Sequence, residues 1–151
     1  MCGIFGYFPL KRLVEVSRCL EKLDLLAHRG PDGWGVAHDE IGTGNIRIHY
    51  NSAPQGDKCT LFLGHHRLSI VDLTDTSIQP MQDPATEAIL LFNGEIYNHS
   101  QLRRELESIG HSFRTLHSDT EVLLKAYSEW GSECLRRLNG MFAFALYEPK
   151  H

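Results

Sequence analysis

Short apolar runs separated by Gly, Asn and Pro constrain the fold of this chain of 151 residues more than any other feature. Runs of this length, bounded by turn-forming residues, predict β-strands and are too short for most helices. The predicted strands cover residues 2–8, 33–38, 46–50, 60–66, 87–92 and 141–147, the last of them as a buried strand. Most of the chain is therefore expected to form sheets.

Helical spacing of apolar residues appears in the intervening segments. Residues 12–27 carry leucines and valines three or four positions apart, which predicts a helix. Asn98 and Ser118 each precede a further helical pattern, and Ser118 opens a capping-box sequence. A short last helix is predicted over residues 132–137. Because strands and helices do not alternate strictly, the sequence predicts a single α+β domain with mostly antiparallel sheets.

Charge and hydropathy exclude several classes of partner. The net charge is −4 and the 15 Lys and Arg residues are scattered, so the basic surface of a nucleic-acid-binding protein is missing. No apolar stretch approaches the roughly 18 residues that a membrane span requires. The first apolar residues precede the first charges, which is the reverse of a secretory signal. We therefore expect a cytoplasmic chain without nucleic-acid or membrane partners.

The metal-binding residue types show no ligand spacing. The chain has nine histidines, and no two of them form an HxH or HxxxH pair. Its four cysteines, Cys2, Cys19, Cys59 and Cys134, form no CxxC pair. We expect no metal site, and free thiols in a reducing compartment.

Four polar loops, two of which contain glycine, could carry chemistry, although each alone is more simply a turn. They are HRGPDGWG (28–35), HHRLSIVD (65–72), NGEIYN (93–98) and HSDTE (117–121). Cys2 adds a further possibility, because removal of Met1 would leave it with both a thiol and a free α-amine. That amine titrates close to neutral pH, so one residue could act as nucleophile and general base. Taken by itself, Cys2 is more simply a packed residue.

Taken together, the motifs MCGIFG, HRGPD, RLSIVD, NGEIYN, SDTE and LNGMFAFALYE resemble the glutaminase domain of class II glutamine amidotransferases, in its asparagine synthetase branch. They follow the family's order from residue 1 to about residue 148. The resemblance implies a four-layer αββα sandwich of the N-terminal nucleophile hydrolase type. It also implies hydrolysis of glutamine to glutamate and ammonia through a thioester on Cys2, with the ammonia supplied to an ATP-dependent amidation.

The resemblance assigns roles to further residues. Asn93 and Gly94 match the oxyanion hole, through a side-chain amide and a backbone N–H. The residues that match the glutamine-binding positions are Arg67, Leu68, Ile70, Glu95 and Asp119. Arg67 would clamp the α-carboxylate of glutamine, and Asp119 would hold its α-amine.

The remaining residues of the family pattern support the site. Glu95 matches a position near the α-amine of glutamine, and Leu68 and Ile70 would line the pocket through backbone groups. Arg29 and Asp32 belong to the loop beside the nucleophile, where Arg29 would lie near Cys2 and Asp32 would order the turn.

The resemblance further implies that residues 1–151 are a glutaminase domain that is incomplete at its C-terminus and lacks the synthetase domain of complete family members. No cofactor is expected in this domain, and ATP and Mg²⁺ are expected only for the synthetase domain. The expected partners are glutamine and a synthetase domain in cis, with a homodimer as one possible assembly. Two alternatives stay open: the same chemistry serving another acceptor, as in sugar or β-lactam-type amidotransferases, or a non-catalytic glutamine-binding or assembly domain.

Overall fold

The computed structural model describes residues 2–8, 12–41, 43–54, 56, 58–69 and 77–149. The chain divides into two compact units. Unit 1 contains Met1–Ser69 and Ile78–Pro80, and unit 2 contains Ile70–Ser77 and Met81–His151. No described helix has the length and apolar composition that a membrane crossing requires.

Unit 1 is built on a four-stranded antiparallel sheet. Its strands are β1 Gly3–Tyr7, β3 Gly33–Asp39, β4 Ile46–Tyr50 and β6 Phe62–Arg67, and a small second sheet pairs β2 Val14–Glu15 with β5 Lys58–Cys59. The order in the large sheet is β1-β6-β3-β4. Every residue of the central strand β6 is buried. Gly3 lies opposite His66, and Gly33 lies opposite Arg67. These pairings bring the end of β6 beside the starts of β1 and β3, at one end of the sheet.

One helix covers this sheet, and it is shorter than the sequence predicts. The helix expected over residues 12–27 is helical only as α1 Val16–Asp24, followed by a 3-10 helix Ala27–Arg29. Val14–Glu15 instead pair with β5, and this pairing holds their backbone extended up to the first turn of α1. The core of unit 1 consists of Val16, Cys19, Leu23, Val36, Cys59 and Phe62.

Unit 2 contains a three-stranded antiparallel sheet of order β7-β8-β9. The strands are β7 Met81–Gln82, β8 Ile89–Ile96 and β9 Gly140–Tyr147, and the helices are α2 His99–Ser108 and α3 Asp119–Trp130, followed by a 3-10 helix Gly131–Arg137. Apolar residues of β8 pack with the buried faces of both α-helices, among them Leu90, Phe92, Leu102, Leu106, Val122 and Leu123. The predicted α+β fold with antiparallel sheets is confirmed.

The capping box at α3 forms only in part. The Ser118 Oγ accepts a hydrogen bond from the Glu121 N–H at 3.4 Å, as predicted. The Glu121 carboxylate turns elsewhere and accepts the Arg114 and Thr115 N–H groups, both at 2.8 Å. A buried carboxylate requires such donors, and here they tie the preceding loop to the helix.

The buried strand predicted at residues 141–147 is exposed in part, and this prediction is wrong. Among the described strands β9 pairs only with β8, so it lies at the edge of its sheet. Met141 is 72% exposed, whereas Phe142 and Phe144 pack partly against the core. An edge strand of this kind buries one side-chain face, which the apolar composition of the run does not reveal.

Candidate active site

Cys2 lies directly before β1 with a half-buried thiol. Its Sγ accepts a hydrogen bond from the Leu68 N–H at 3.3 Å. The same sulfur lies 3.7 Å from the Leu68 carbonyl oxygen, to which the thiol can donate. The pairing of β1 with β6 brings these residues together. This backbone N–H is a hydrogen-bond donor aimed at the sulfur, the atom that acts as the nucleophile in cysteine chemistry.

The other three thiols are buried. Cys19 is 2% exposed, and Cys59 and Cys134 are 0% exposed. Burial raises the pKa of Cys19 and of Cys134, and burial together with neighbouring Cys19 and Asp39 raises the pKa of Cys59 to about 12. Such thiols stay protonated and unreactive at neutral pH. Of the four cysteines, all within the described ranges, Cys2 is therefore the one suited to nucleophilic attack.

The HRGPD loop contacts the backbone of Cys2. The Arg29 Nε donates to the Cys2 carbonyl oxygen at 3.2 Å. Arg29 therefore lies near Cys2 as expected, and the hydrogen bond between the two residues is to the main chain of Cys2. A Cβ on Gly30 would lie 2.5 Å from the carbonyl carbon and oxygen of His66. Only a glycine allows the loop to approach the end of β6 this closely.

Asp32 connects the same loop to the residues that follow β6. Its N–H donates to the Arg67 carbonyl oxygen at 3.0 Å. Its Oδ2 accepts the Ser69 N–H at 2.7 Å. Asp32 thus orders the backbone of residues 67–69, which extends the turn-ordering role expected from the sequence.

Arg67 ends β6 and is 8% exposed. A carboxylate that reached this guanidinium would be bound with little competition from water, which strengthens a charge-assisted hydrogen bond. Leu68 follows it and provides the two backbone groups at the Cys2 sulfur. Ile70, the next predicted contact, lies outside the described residues.

In unit 2, Asn93 and Gly94 lie inside β8, which continues to Ile96 beyond the end predicted for this strand. The NGEI segment is therefore extended strand and not a hairpin turn. The Asn93 side-chain oxygen is buried and has no hydrogen-bond partner among the described residues. A Cβ on Gly94 would lie 2.3 Å from the Met141 carbonyl oxygen, so the pairing with β9 itself requires glycine here.

Asp119 begins α3, and its Oδ2 accepts the Ile96 N–H at 3.1 Å. This hydrogen bond places the carboxylate beside the end of β8, one residue from the exposed Glu95. Burial raises the pKa of Asp119, while the Ile96 N–H and the nearby His99 oppose that rise. The Asp119 residue is half-buried.

Each unit thus brings together part of the predicted set. In unit 1 the contacts join Cys2, Arg29, Asp32, Arg67 and Leu68. In unit 2 the strand and helix α3 hold Asn93, Gly94, Glu95 and Asp119. The sequence did not predict the contributions of Ser69 and Ile96, which act through backbone N–H groups. Such donors belong to every residue except proline, so no sequence signal could have identified them.

A separate cavity of about 590 Å³ lies in unit 1, and none of the predicted site residues is among its described lining residues. It is lined by Leu13, His38, Asp39, Glu40, Ile41, Arg47, Gly56 and Lys58. Arg47 pairs with Glu40 at 2.9 Å, and Asp39 accepts two backbone N–H groups at 2.7 Å. Within the described ranges, no group of three or more His, Cys, Asp or Glu side chains could hold a metal ion.

Comparison with known proteins connects this geometry to a family. A family model described as a glutamine amidotransferase domain matches residues 1–151. The chain is 37% identical to a glutamine-hydrolysing asparagine synthetase of Bacillus subtilis, covering 99% of this chain and 22% of that protein. It is 40% identical to asparagine synthetase B of Escherichia coli, covering 99% of this chain and 24% of that protein. The chain spans less than a quarter of the length of these curated relatives.

Solved structures show the same fold. A glutamine phosphoribosylpyrophosphate amidotransferase from B. subtilis matches with a TM-score of 0.73 and 24% identity, over 98% of this chain and 35% of that one. An allosteric regulatory enzyme of purine biosynthesis matches with a TM-score of 0.76 and 23% identity, over 97% of this chain and 35% of that one. The fold class expected from the motifs is confirmed.

Proposed function

Because this chain belongs to the glutamine amidotransferase family, an enzyme family, we propose that it hydrolyses glutamine to glutamate and ammonia with Cys2 as the nucleophile. The observation that carries the proposal is the contrast among the four thiols. Cys2 is accessible and accepts a backbone N–H, whereas the other three are buried. Membership in the family makes glutamine the substrate to test first.

The proposed reaction begins when the α-amine of Cys2, exposed by removal of Met1, takes the thiol proton. The sulfur then forms a bond to the side-chain carbonyl carbon of glutamine, whose oxygen becomes an oxyanion. Asn93 and the Gly94 N–H would donate to that oxygen. The carbon–nitrogen bond breaks, ammonia leaves with the proton from the amine, and water cleaves the thioester to glutamate and free thiol.

Three charged residues account for the selection of glutamine in this proposal. Arg67 would bind the α-carboxylate, for which its buried guanidinium suits bidentate recognition. Asp119 and Glu95 would bind the α-ammonium group. The Asn93 side-chain oxygen, which has no partner among the described residues, is an acceptor and therefore supports a ligand that carries an N–H donor, because a buried polar atom left without a partner costs about 1 to 3 kcal/mol.

The use of the ammonia is proposed by analogy with the relatives. We propose that the chain is the glutaminase part of a longer protein whose synthetase domain uses the ammonia in an ATP-dependent amidation, as in asparagine synthetases. ATP and Mg²⁺ would serve that domain, and the steps assigned to this chain use only its own side chains, its backbone groups, the α-amine of Cys2 and water. A cytoplasmic location stays a prediction of the sequence.

The test uses the full-length protein that contains this chain, with Met1 removal checked by mass spectrometry. Glutamate and ammonia are measured after addition of glutamine to wild type, Cys2→Ala and Cys134→Ala. We expect Cys2→Ala to abolish release of both products and Cys134→Ala, which removes a buried thiol, to retain it. Equal release by wild type and Cys2→Ala would show that the nucleophile is misassigned. Release of neither product by the processed wild type would favour a non-catalytic domain.

A further inference from the structure

We propose that Asp32 is a positioning residue for the nucleophile, because it holds the two peptide units that flank Leu68 and so aims the polar backbone groups of Leu68 at the Cys2 sulfur. The proposal rests on the proposed function in one respect, namely that Cys2 is the nucleophile. The role expected from the sequence was that Asp32 orders its own turn. The proposal adds an effect of Asp32 on the reacting thiol of Cys2.

The geometry follows from the planarity of the peptide bond. The Arg67 carbonyl and the Leu68 N–H belong to one planar unit, and the Leu68 carbonyl and the Ser69 N–H belong to the next. The Asp32 N–H holds the first unit through the Arg67 oxygen at 3.0 Å. The Asp32 carboxylate holds the second through the Ser69 N–H at 2.7 Å, a short distance typical of a charge-assisted hydrogen bond.

The opposite ends of these two units meet the nucleophile. The Leu68 N–H lies 3.3 Å from the Cys2 sulfur, and the Leu68 carbonyl oxygen lies 3.7 Å from it. The N–H can stabilise the thiolate, and the carbonyl can accept the proton of the thiol. With both units anchored by Asp32, rotation of either one about its neighbouring single bonds would break a hydrogen bond. The sulfur therefore meets a donor and an acceptor of fixed direction.

A purely electrostatic role of Asp32 would have the opposite sign. A carboxylate near a sulfur disfavours the thiolate, so removing that charge would make Cys2 more reactive. Positioning predicts that removing the carboxylate makes Cys2 less reactive, since the Leu68 N–H loses its alignment. Asp32→Ala keeps the backbone N–H on Arg67 and removes only the bond to Ser69. The variant therefore isolates the side-chain contribution.

The experiment compares wild type, Asp32→Ala, Asp32→Asn and Asp32→Glu in the full-length protein. Asp24→Ala, which removes an exposed aspartate at the end of α1, serves as the matched control. Three quantities are measured: kcat and KM for glutamine, the rate of Cys2 alkylation by iodoacetamide at neutral pH, and the thermal unfolding midpoint. Alkylation is followed on the Cys2 peptide by mass spectrometry and does not require glutamine hydrolysis.

We expect Asp32→Ala to lower kcat by about 10- to 100-fold, where the upper value is the loss that a misplacement of about 1 Å can cause. Its KM should change by less than about threefold, because the main-chain bond to Arg67 persists. Alkylation should slow about tenfold with the loss of an aligned donor to the thiolate. Asp32→Asn should retain most of both rates, since its side-chain oxygen can still accept the Ser69 N–H.

Several results would overturn the positioning role. They are alkylation as fast or faster in Asp32→Ala than in wild type, an Asp32→Asn variant as slow as Asp32→Ala, and a raised KM at unchanged kcat. If Asp32→Ala does not fold, Asp32→Glu decides, because it keeps the charge and displaces the acceptor by one methylene. Positioning predicts a slow Asp32→Glu variant, whereas unchanged rates contradict it. If the wild type does not hydrolyse glutamine while Asp32→Ala still slows alkylation, the proposed function fails, and what stands is the ordering of the Leu68 groups at the Cys2 sulfur by Asp32.

Discussion

Replacement of Gly30 by alanine tests whether the HRGPD loop must lie this close to the end of β6. In Gly30→Ala the new Cβ would lie 2.5 Å from the carbonyl carbon and oxygen of His66 and 2.7 Å from the carbonyl carbon of Arg67. Ordinary contact begins at 3.4 Å, so the loop and the strand must separate by about 0.9 Å. These neighbours are backbone atoms, which cannot rotate away as a side chain could.

Two consequences follow from that displacement. Overpacking of a well-packed site costs about 1 to 3 kcal/mol in the free energy of unfolding. The separation also strains the bonds of Arg29 to Cys2 and of Asp32 to Ser69. A misplacement of about 1 Å near reacting groups costs roughly 100-fold in rate, so kcat for glutamine hydrolysis should fall by about that factor.

Gly6→Ala is the matched control for this prediction. Gly6 lies in β1 of the same unit, and its Cβ would meet only the Leu63 Cδ2, at an ordinary distance of 3.7 Å. We expect this variant to have the stability and kcat of wild type. Stability is measured by chemical denaturation, and kcat by release of glutamate and ammonia. A Gly30→Ala protein that matches Gly6→Ala in both quantities would refute the reasoning from close packing.

Two further predictions concern the binding of glutamine. Arg67→Ala should raise KM for glutamine by roughly 30-fold or more, since truncating one partner of a buried, hydrogen-bonded charge pair costs about 2 to 5 kcal/mol. An unchanged KM in steady-state kinetics would contradict the assignment of Arg67 to the α-carboxylate of glutamine. Asp119 must be ionised to bind an ammonium group, and burial raises its pKa. Affinity should therefore be present above that pKa and be lost as the pH falls through it, at a higher pH than an ordinary aspartate would give. Asp119→Asn should bind glutamine more weakly at neutral pH, and its affinity should no longer fall at acid pH. The measurement is the Kd for glutamine as a function of pH. If the affinity of Asp119→Asn still falls at acid pH, the dependence belongs to another group.

Sequence patterns predicted most of the regular structure because periodicity is a local property of the chain. The runs that became β1, β3, β4, β6 and β8 show it without any knowledge of their neighbours. The two-residue strands β2, β5 and β7 were missed, since so short a strand exists only through its pairing partner. The exposure of β9 likewise depends on its place at the edge of the sheet.

The candidate site likewise has features that the sequence predicted and features that only the tertiary structure shows. The resemblance of the motifs to a known family predicted Cys2 as nucleophile, Arg67 as the cation for glutamine and Asp119 as the anion. Only tertiary structure distinguishes the accessible thiol of Cys2 from three buried ones. It alone shows which backbone groups face the sulfur.

By itself, then, the sequence determined where most of the longer strands and helices form, which family pattern the chain carries and which side chains are chemically able to act. The tertiary structure decided where the polar groups of the site point. The Leu68 N–H points at the Cys2 sulfur, and the Asp32 carboxylate points at the Ser69 N–H. The physical reason is that every residue except proline carries the same backbone donor and acceptor. What those groups do depends on the segments that strand pairing and loop packing bring beside them, and residue identity does not encode that directly.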